Sequence, residues 1–381
     1  MRKSRKTILF VTTSRSDFAL IEPLLSLMSK DKQLRPFLFV TGDHMSPQAG
    51  ETYQQIKARG VPIDAKYRLR SADPSAQVGE VVSAVAALLR KHKVSYAFIC
   101  ADRKEMFAAA IACAMARVPL FHGHGGDVTY GMIDDAMRHA ITKLSSVHFA
   151  VSPLSARRIL QMGEERWRVC VTGSPDADAA RASLPEEETL CKMALHKKKY
   201  ALLLLNPETL LTSGENAALA RATLRALGSY RERVLVISPN NDTSAGSIRA
   251  AYKGLDSGKF TLVSGVPREQ YLALLKNAAF LIGNSSSGIT EAAAFKTPAI
   301  NVGHRQDGRE RNRNTIDVSA GEKAIRAAIR KAQSPAFLRS IKNMRNVYGR
   351  GGASERIYRA LKRIVHTRDT RSLLYKTFTL I

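Results

Sequence analysis

Short apolar segments and helical patterns alternate along nearly the whole chain, and this alternation constrains the fold most strongly. A βαβα order requires parallel strands with crossover helices, so each half of the chain predicts a doubly wound α/β sheet. Strands are predicted at residues 7–13, 35–40, 96–100, 120–122, 147–151 and 169–171, then at 200–205, 233–237, 260–263, 280–282 and 299–302. Helices are predicted at 17–30, 53–59, 76–92, 104–117 and 134–144, then at 216–227, 244–253, 268–277, 288–295, 321–332 and 354–365.

The length of the chain, 381 residues, predicts two domains, because a single hydrophobic core rarely grows so large. Gly173 and Pro175 break the pattern and mark the junction. We therefore predict two Rossmann-like domains facing a cleft, over residues 1–172 and 173–365, followed by a basic and then apolar tail at 366–381. A ligand is expected in that cleft, at the carboxyl ends of the strands.

The composition is typical of a globular protein, with 45% hydrophobic and 7% aromatic residues. No apolar run is long enough to span a bilayer, and the basic segment 1–6 is not followed by the cleavage site of a signal peptide. The four cysteines are widely spaced and include no CxxC pair. We therefore expect neither a structural zinc site nor a disulfide framework, and a reducing cytoplasm fits.

The formal net charge of +26 is the most unusual property of the composition. It is compatible with a nucleic acid or an anionic membrane as a partner, or with a phosphate-bearing substrate in a basic host proteome. The charge is spread along the chain, and no stacking-aromatic motif of an RNA-binding module occurs. We therefore expect no nucleic-acid partner.

The segment 122–145 concentrates reactive side chains directly after a predicted strand. His122, His124 and Asp127 lie in its loop, and Asp134 begins the helix that follows. Loops carried on a rigid sheet are where reactive groups gather. The two histidines and Asp127 also form a trio of the kind that binds catalytic zinc, which stays an alternative interpretation at this point.

A second polar loop follows the predicted strand 280–282 and carries three consecutive serines between two glycines. Backbone and hydroxyl donors at a helix start can bind phosphate, whereas an N-capped helix start would explain the serines alone. The GK[ST] ending of a Walker loop does not occur there. The candidate phosphate, ribose and diphosphate ligands of this half are Asn240, Ser285, Ser286, Ser287, Gly288, Glu291, Arg305 and Arg309.

Seven motifs lie in the loops after predicted strands or in the helix that follows one of these loops. They are SRSD at 14–17, TGDH at 41–44, ADR at 101–103, GGD at 125–127, IDDAMRHAITKLS at 133–145, GNSSSG at 283–288 and RQDGR at 305–309. Together they resemble the UDP-N-acetylglucosamine 2-epimerases, specifically the hydrolysing branch that supplies sialic-acid-type sugars. The resemblance covers roughly residues 7–365, and the string at 133–145 is its most specific part.

The resemblance implies a fold like that of the nucleotide-sugar glycosyltransferases of the B type, with UDP bound mainly by the second domain. It implies anti elimination of UDP across C1–C2 to a 2-acetamidoglucal, and then hydration to N-acetylmannosamine. It implies neither a metal nor a nicotinamide cofactor, and a homo-oligomer, either a dimer or a tetramer. Because the C2 proton is not acidic, its removal must be coupled to departure of the diphosphate, which requires a carboxylate base and a cation near the leaving group.

Residue by residue, the resemblance implies that Asp102 and Asp134 are catalytic. Arg138 lies one helical turn after Asp134 and is expected to pair with it or with the diphosphate. The other positions that match contacts of the family to UDP or the sugar are Arg15, Arg103, Asn240, Ser286, Glu291 and Arg305.

Two positions depart from the family pattern. His124 stands where the family commonly has a glutamate or a histidine, and the glutamate is the usual third catalytic carboxylate, so either His124 or Asp127 is expected to take that role. Asn206 stands where a histidine usually contacts the ligand, and an asparagine can donate to a phosphate but cannot exchange protons near neutrality. Two alternative functions therefore stay open: a B-type glycosyltransferase using a UDP-sugar, and a non-catalytic subunit that binds a nucleotide sugar.

Overall fold

A computed structural model describes residues 5–130, 132–240, 244–255, 258–263 and 265–380. These residues divide into two compact units. The first unit comprises Met1–Asp127, Asp134–Pro175 and Gly352–Ile381, and the second comprises Val128–Ile133 and Asp176–Gly351. Each unit holds one parallel sheet with helices on both faces, so the predicted pair of doubly wound α/β folds is confirmed.

The sheet of the first unit is built from strands β1 Lys6–Thr12, β2 Leu34–Val40, β3 Ala65–Lys66, β4 Tyr96–Cys100, β5 Leu120–Gly123, β6 Val147–Ala150 and β7 Val169–Val171. Its strand order is β3-β2-β1-β4-β5-β6-β7, and all described pairings are parallel. The strands therefore end along one edge of the sheet, which we call the carboxyl edge, and begin along the opposite edge, the amino edge.

Helices α1 Arg15–Ser29, α2 Tyr53–Ala58, α3 Pro74–Lys91, α4 Lys104–Met115, α5 Asp134–Leu144 and α6 Pro153–Gln161 connect these strands. Alternate side chains of β1 enter different cores: Ile8 packs with α1, and Leu9 packs with α3 and α4. The side chains of Ser14 and Asp73 accept hydrogen bonds from the first turns of α1 and α3. These caps explain why both helices begin where the polar loops end.

The second unit repeats this architecture with strand order β10-β9-β8-β11-β12-β13. Its strands are β8 Tyr200–Leu204, β9 Arg233–Ile237, β10 Phe260–Val263, β11 Phe280–Gly283, β12 Ala299–Val302 and β13 Thr315–Val318. Its helices are α7 Glu186–Lys192, α8 Ser213–Gly228, α9 Ala245–Ala251, α10 Arg268–Asn277, α11 Glu291–Phe295, α12 Glu322–Gln333 and α13 Pro335–Lys342. No helix in the described part of the chain is both long and apolar enough to cross a membrane.

The last part of the chain corrects the predicted domain bounds. Helices α14 Ala353–Thr367 and α15 Thr370–Leu374 belong to the first unit, and neither forms part of the second domain or a separate tail, as predicted for 173–365 and 366–381. The physical reason is the apolar face of α14, where Ile357, Leu361 and Ile364 are buried in the core that contains β1 and α1. The short segment Val128–Ile133 likewise belongs to the second unit, not the first.

Candidate active site

At the carboxyl edge of the first sheet, the loop after β1 is held by a buried carboxylate. Asp17 is 2% exposed and accepts hydrogen bonds from the Thr13 N–H at 2.9 Å, the Thr13 hydroxyl at 2.7 Å and the Ser14 hydroxyl at 2.8 Å. Arg15, a predicted ligand contact, begins α1 next to this loop and is exposed. The hydrogen bonds to Asp17 thus hold the backbone immediately before Arg15 in place.

Arg138 is the centre of the first unit's polar cluster. Its side chain is 1% exposed and pairs with the carboxylate of Asp102, with Asp135 Oδ1 at 2.7 Å and with the backbone oxygen of Asp127 at 3.0 Å. Burial acts to lower the pKa of Arg138, but Asp102 and Asp127 outweigh it and the pKa lies above its usual value. A charged guanidinium therefore joins the loops after β4 and β5 to helix α5.

Of the predicted catalytic residues, Asp102 and Asp127 contact this guanidinium, Asp134 lies on the same helix, and His124 contacts a different residue. Asp127 is 2% exposed, whereas Asp134, one turn before Arg138 on α5, is half-buried. His124 is half-buried with φ +68°, and its Nε2 lies 3.4 Å from the Ser174 hydroxyl oxygen. This uncommon backbone conformation stores strain of the kind that concentrates at functional sites.

Arg103, the residue after Asp102, is held by two carboxylates that sequence reasoning missed. Its guanidinium lies 3.2 Å from Asp43 and 3.4 Å from Glu105. Burial acts to raise the pKa of Glu105, but Arg103 and Lys104 outweigh it and the pKa is lowered. The sequence signals for this arrangement are the aspartate of the TGDH motif at 41–44 and an acid two residues after the arginine.

His122 is a structural residue and not a titrating one near neutrality. Its nitrogens lie 3.2 Å from the Thr142 hydroxyl and 3.4 Å from the Ala101 oxygen. Burial lowers the pKa of His122 to about 3. In the described ranges, no three His, Cys, Asp or Glu side chains are grouped so that they could hold a metal ion.

In the second unit, an asparagine that was not predicted joins three strand ends. Asn284 follows β11; its side chain accepts from the Asn206 N–H at 2.7 Å and donates to the Asn206 oxygen at 2.8 Å. The side-chain oxygen of Asn206 in turn accepts from the Asn240 N–H at 2.9 Å. Gly283 permits this approach, because a Cβ there would lie 1.9 Å from the Leu204 oxygen. Asn206 and Asn240 are thereby brought together with the serine loop.

The serine loop is a 3-10 turn, Ser286–Gly288, followed by the five-residue helix α11, and this corrects the predicted helix at 288–295. Ser285 and Ser286 are half-buried, whereas Ser287 and Gly288 are buried. The Ser285 hydroxyl accepts from the Ser287 N–H at 3.3 Å, and the Ser287 hydroxyl is bonded to Tyr271. Ser285 and Ser286 are therefore the accessible hydroxyls of this loop.

Glu291 is already bound to a cation. It is 5% exposed, and its Oε1 lies 2.6 Å from Nη1 of Arg268, a residue that sequence reasoning missed. Burial raises the pKa of Glu291, and Arg268 opposes that rise. The carboxylate is thus positioned by α10, the helix that also carries Tyr271.

The arginine loop after β12 packs on the same asparagines. Arg305 donates to the Pro207 oxygen at 3.2 Å and to the Asn284 oxygen at 3.4 Å, and Gln306 donates to the Asn284 oxygen at 2.9 Å. Arg309 is half-buried and follows on the same loop. Two cations therefore lie on the loop that contacts the start of the serine loop.

A family model described as UDP-N-acetylglucosamine 2-epimerase matches residues 27–362. A UDP-N-acetylglucosamine 2-epimerase of Neisseria meningitidis serogroup B is 32% identical over 333 residues, which cover 86% of this chain and 88% of the relative. A UDP-N,N'-diacetylbacillosamine 2-epimerase (hydrolyzing) of Legionella pneumophila is 30% identical over 373 residues, which cover 94% and 96%. A crystal structure of the UDP-GlcNAc 2-epimerase from Neisseria meningitidis bound to UDP-GlcNAc has a TM-score of 0.82 at 16% identity, covering 94% of this chain and 100% of that one.

Proposed function

This chain belongs to the UDP-N-acetylglucosamine 2-epimerase family, and we propose that it is a hydrolysing nucleotide-sugar 2-epimerase. The proposed substrate is UDP-N-acetylglucosamine or a variant with an amino or acetamido group at C4, and the products are UDP and an N-acetylmannosamine-type sugar. The observation that carries the proposal is the buried side chain of Arg138. Arg138 lies on the helix that begins with Asp134, and it bonds both the carboxylate of Asp102 and the backbone oxygen of Asp127. A cytoplasmic homo-oligomer is part of the same proposal.

The first unit is proposed to act on the sugar. One carboxylate takes the proton from C2, the C2–H electron pair forms the C1=C2 bond, and the C1–O bond breaks with its pair leaving on UDP. Water then adds its hydroxyl to C1, and a proton returns to C2 on the opposite face. Asp102, oriented by Arg138, and Asp134 are proposed for these two proton transfers. Asp127 or His124 is proposed as the third catalytic group.

The second unit is proposed to hold the nucleotide. Ser285 and Ser286 supply accessible donors for phosphate, and Arg305 and Arg309 supply positive charge for the diphosphate. Further contacts to the nucleotide sugar are proposed for Ser287, Gly288, Asn206 and Asn240, for Glu291 with the ribose diol, and for Arg15 and Arg103 of the first unit. The side-chain oxygen of Asn206 accepts a hydrogen bond from the Asn240 N–H. The side-chain NH2 group of Asn206 is therefore the part that would donate to a ligand.

The decisive experiment is incubation with UDP-N-acetylglucosamine alone in deuterated water, followed by NMR. We expect UDP and N-acetylmannosamine carrying deuterium at C2, because the proton is lost to solvent and regained. Retention of the original hydrogen would rule out elimination. UDP release only when an acceptor sugar is present would indicate a glycosyltransferase, and UDP binding without turnover would indicate a non-catalytic subunit. A panel of UDP- and GDP-linked acetamido sugars then identifies the substrate.

A further inference from the structure

The segment 369–380, which we call the C-terminal segment, is anchored along the amino edge of the first sheet. Arg168, 1% exposed, donates to backbone carbonyls within 372–375 at 2.7 to 3.2 Å. Lys376 pairs at 2.9 Å with Glu164, a carboxylate with no exposed surface. Glu164 and Arg168, the two residues that anchor the segment, lie just before the start of β7. The segment is therefore held at the edge opposite the candidate active site.

The anchored segment exposes apolar side chains. Leu374 is 38% exposed, Tyr375 74%, Phe378 67% and Leu380 87%. The position of Phe378 is fixed, because its ring packs so closely on Gly163 that a Cβ there would lie 2.6 Å from it. Apolar side chains that are held in place and turned to solvent mark an interaction surface.

A basic groove adjoins this segment. It has a volume of about 350 Å³, and its cationic lining residues are Lys6, Lys93 and Arg117, at the amino ends of β1, β4 and β5. Lys93 and Arg117 are exposed, and neither forms an ion pair with any described residue. Thr370, the first residue of α15, also lines the groove, so the groove and the C-terminal segment are continuous.

We propose that this continuous surface, the amino edge of the first unit, docks the protein on an anionic membrane. Charge decides between the two occupants that an exposed apolar patch suggests. A second copy bound through the same surface would bring Lys93 and Arg117 of both copies into one interface, where like charges repel, whereas anionic headgroups neutralise them. Aromatic and aliphatic side chains beside cations are the usual composition of a surface that lies in the headgroup region. The carboxyl edge, with Asp102 and Arg138, faces away from the lipid in this arrangement.

The test uses the full chain with vesicles of phosphatidylcholine alone and vesicles in which about one lipid in three is phosphatidylglycerol. We expect co-sedimentation with the anionic vesicles only, weakening as salt is raised. Lys93→Glu/Arg117→Glu is expected to reduce the bound fraction about tenfold or more, and Tyr375→Ser/Leu380→Ser several-fold. The epimerase activity of these variants in solution should not change.

The matched control is Lys323→Glu/Arg330→Glu on α12 of the second unit, which makes the same change in net charge at exposed positions. This variant should bind the anionic vesicles like the parent protein. Equal loss of binding in the control would mean that net charge alone is responsible and would overturn the proposal. So would equal sedimentation with neutral vesicles, or a fall in the molar mass of Tyr375→Ser/Leu380→Ser by light scattering, which would assign the surface to a second copy of the chain.

Discussion

Arg138 is the residue on which the first unit's candidate site depends most. A buried guanidinium left without its partners costs several kcal/mol, so it is stable here because acceptors surround it. They include the side chains of Asp102 and Asp135 and the backbone oxygen of Asp127. Both carboxylates pair with Arg138, and their different positions allow catalysis and charge balance to be separated by mutation.

Replacing Asp102 by asparagine is expected to lower kcat about a thousandfold, because an amide keeps the shape of the side chain but cannot exchange the proton. The affinity for UDP should change less than about threefold, because the diphosphate ligands are proposed on the second unit. Steady-state kinetics and calorimetric titration with UDP measure the two effects. Asp135→Asn is the matched control, since it removes the other carboxylate on Arg138; we expect a loss in kcat of less than about tenfold. Equal losses would show that Asp102 acts only through Arg138.

Buried His122 makes the fold sensitive to acid. Its pKa of about 3 lies below the value near 6.5 that it has when unfolded, so the unfolded state binds the extra proton between these values. With respect to His122, the free energy of unfolding therefore has its full value above about pH 6.5. It decreases as the pH falls below that value, by up to about 1.4 kcal/mol per pH unit. Urea unfolding at several pH values between 7 and about 5 should show a shallower decline for His122→Asn than for the parent. His196→Asn, at an exposed position on the surface of the second unit, is the control and should leave the slope unchanged.

The sequence predicted which loops carry the polar residues, but not how these residues pair. Asp102 and Asp127 could be assigned to the carboxyl edge because each follows a strand of a parallel sheet. Asp135 was not among the predicted site residues, yet it is a partner of Arg138. Side-chain pairing depends on distances between loops that are far apart in sequence, and no local pattern records them.

At the scale of elements, Asn284 is the joint between strands of the second unit. It has no exposed surface and bonds both backbone polar groups of Asn206, on the loop after β8. Its own backbone oxygen accepts from Arg305 and Gln306 after β12. One asparagine therefore holds three loops that the proposed nucleotide site shares.

Asn284→Ala leaves the backbone groups of Asn206 without partners, and we expect it to destabilise the second unit by about 2 to 4 kcal/mol. UDP affinity should fall more than tenfold, because the loops of the nucleotide site lose their common support. Asn314→Ala is the matched control, since Asn314 is equally buried and donates at 2.7 Å to the Thr297 oxygen. It should lower the melting temperature and leave the UDP dissociation constant nearly unchanged. A similar loss of UDP affinity in both variants would mean that general loosening is responsible.

Long periodic elements were predicted well, whereas short ones were predicted in some cases, such as β7 at Val169–Val171, and missed or misplaced in others. The helix predicted at 134–144 is α5 with the same bounds, because its apolar and polar residues repeat with the helical period. Strand β13, at Thr315–Val318, was missed because an alternation of polar and apolar residues over only four positions, after a basic loop, is too short to stand out. The helix predicted at 288–295 is shorter and begins as a 3-10 turn, since the serines and glycine satisfy their backbone groups locally.

At the scale of the whole molecule, the chain leaves the first unit and returns to it. The 354–365 helix was predicted, but its assignment to the second domain was wrong, because sequence order suggests that a helix packs on the unit that precedes it. The pattern of α14 shows only that it buries an apolar face. Which core receives that face is a tertiary property, and here it is the core of β1 and α1.

Leu361→Ala tests this return of the chain directly. Leu361 is fully buried on α14, so removing its side chain should lower the free energy of unfolding of the first unit by about 3 kcal/mol. Hydrogen exchange measured by mass spectrometry should then show faster exchange in peptides from β1 and α1, while peptides from β8 and α8 keep their protection. Leu338→Ala on α13, where the side chain is 42% exposed, should cost less than about 1 kcal/mol. Loss of protection in β8 and α8 instead would place α14 with the second unit, because a cavity weakens first the core in which it lies.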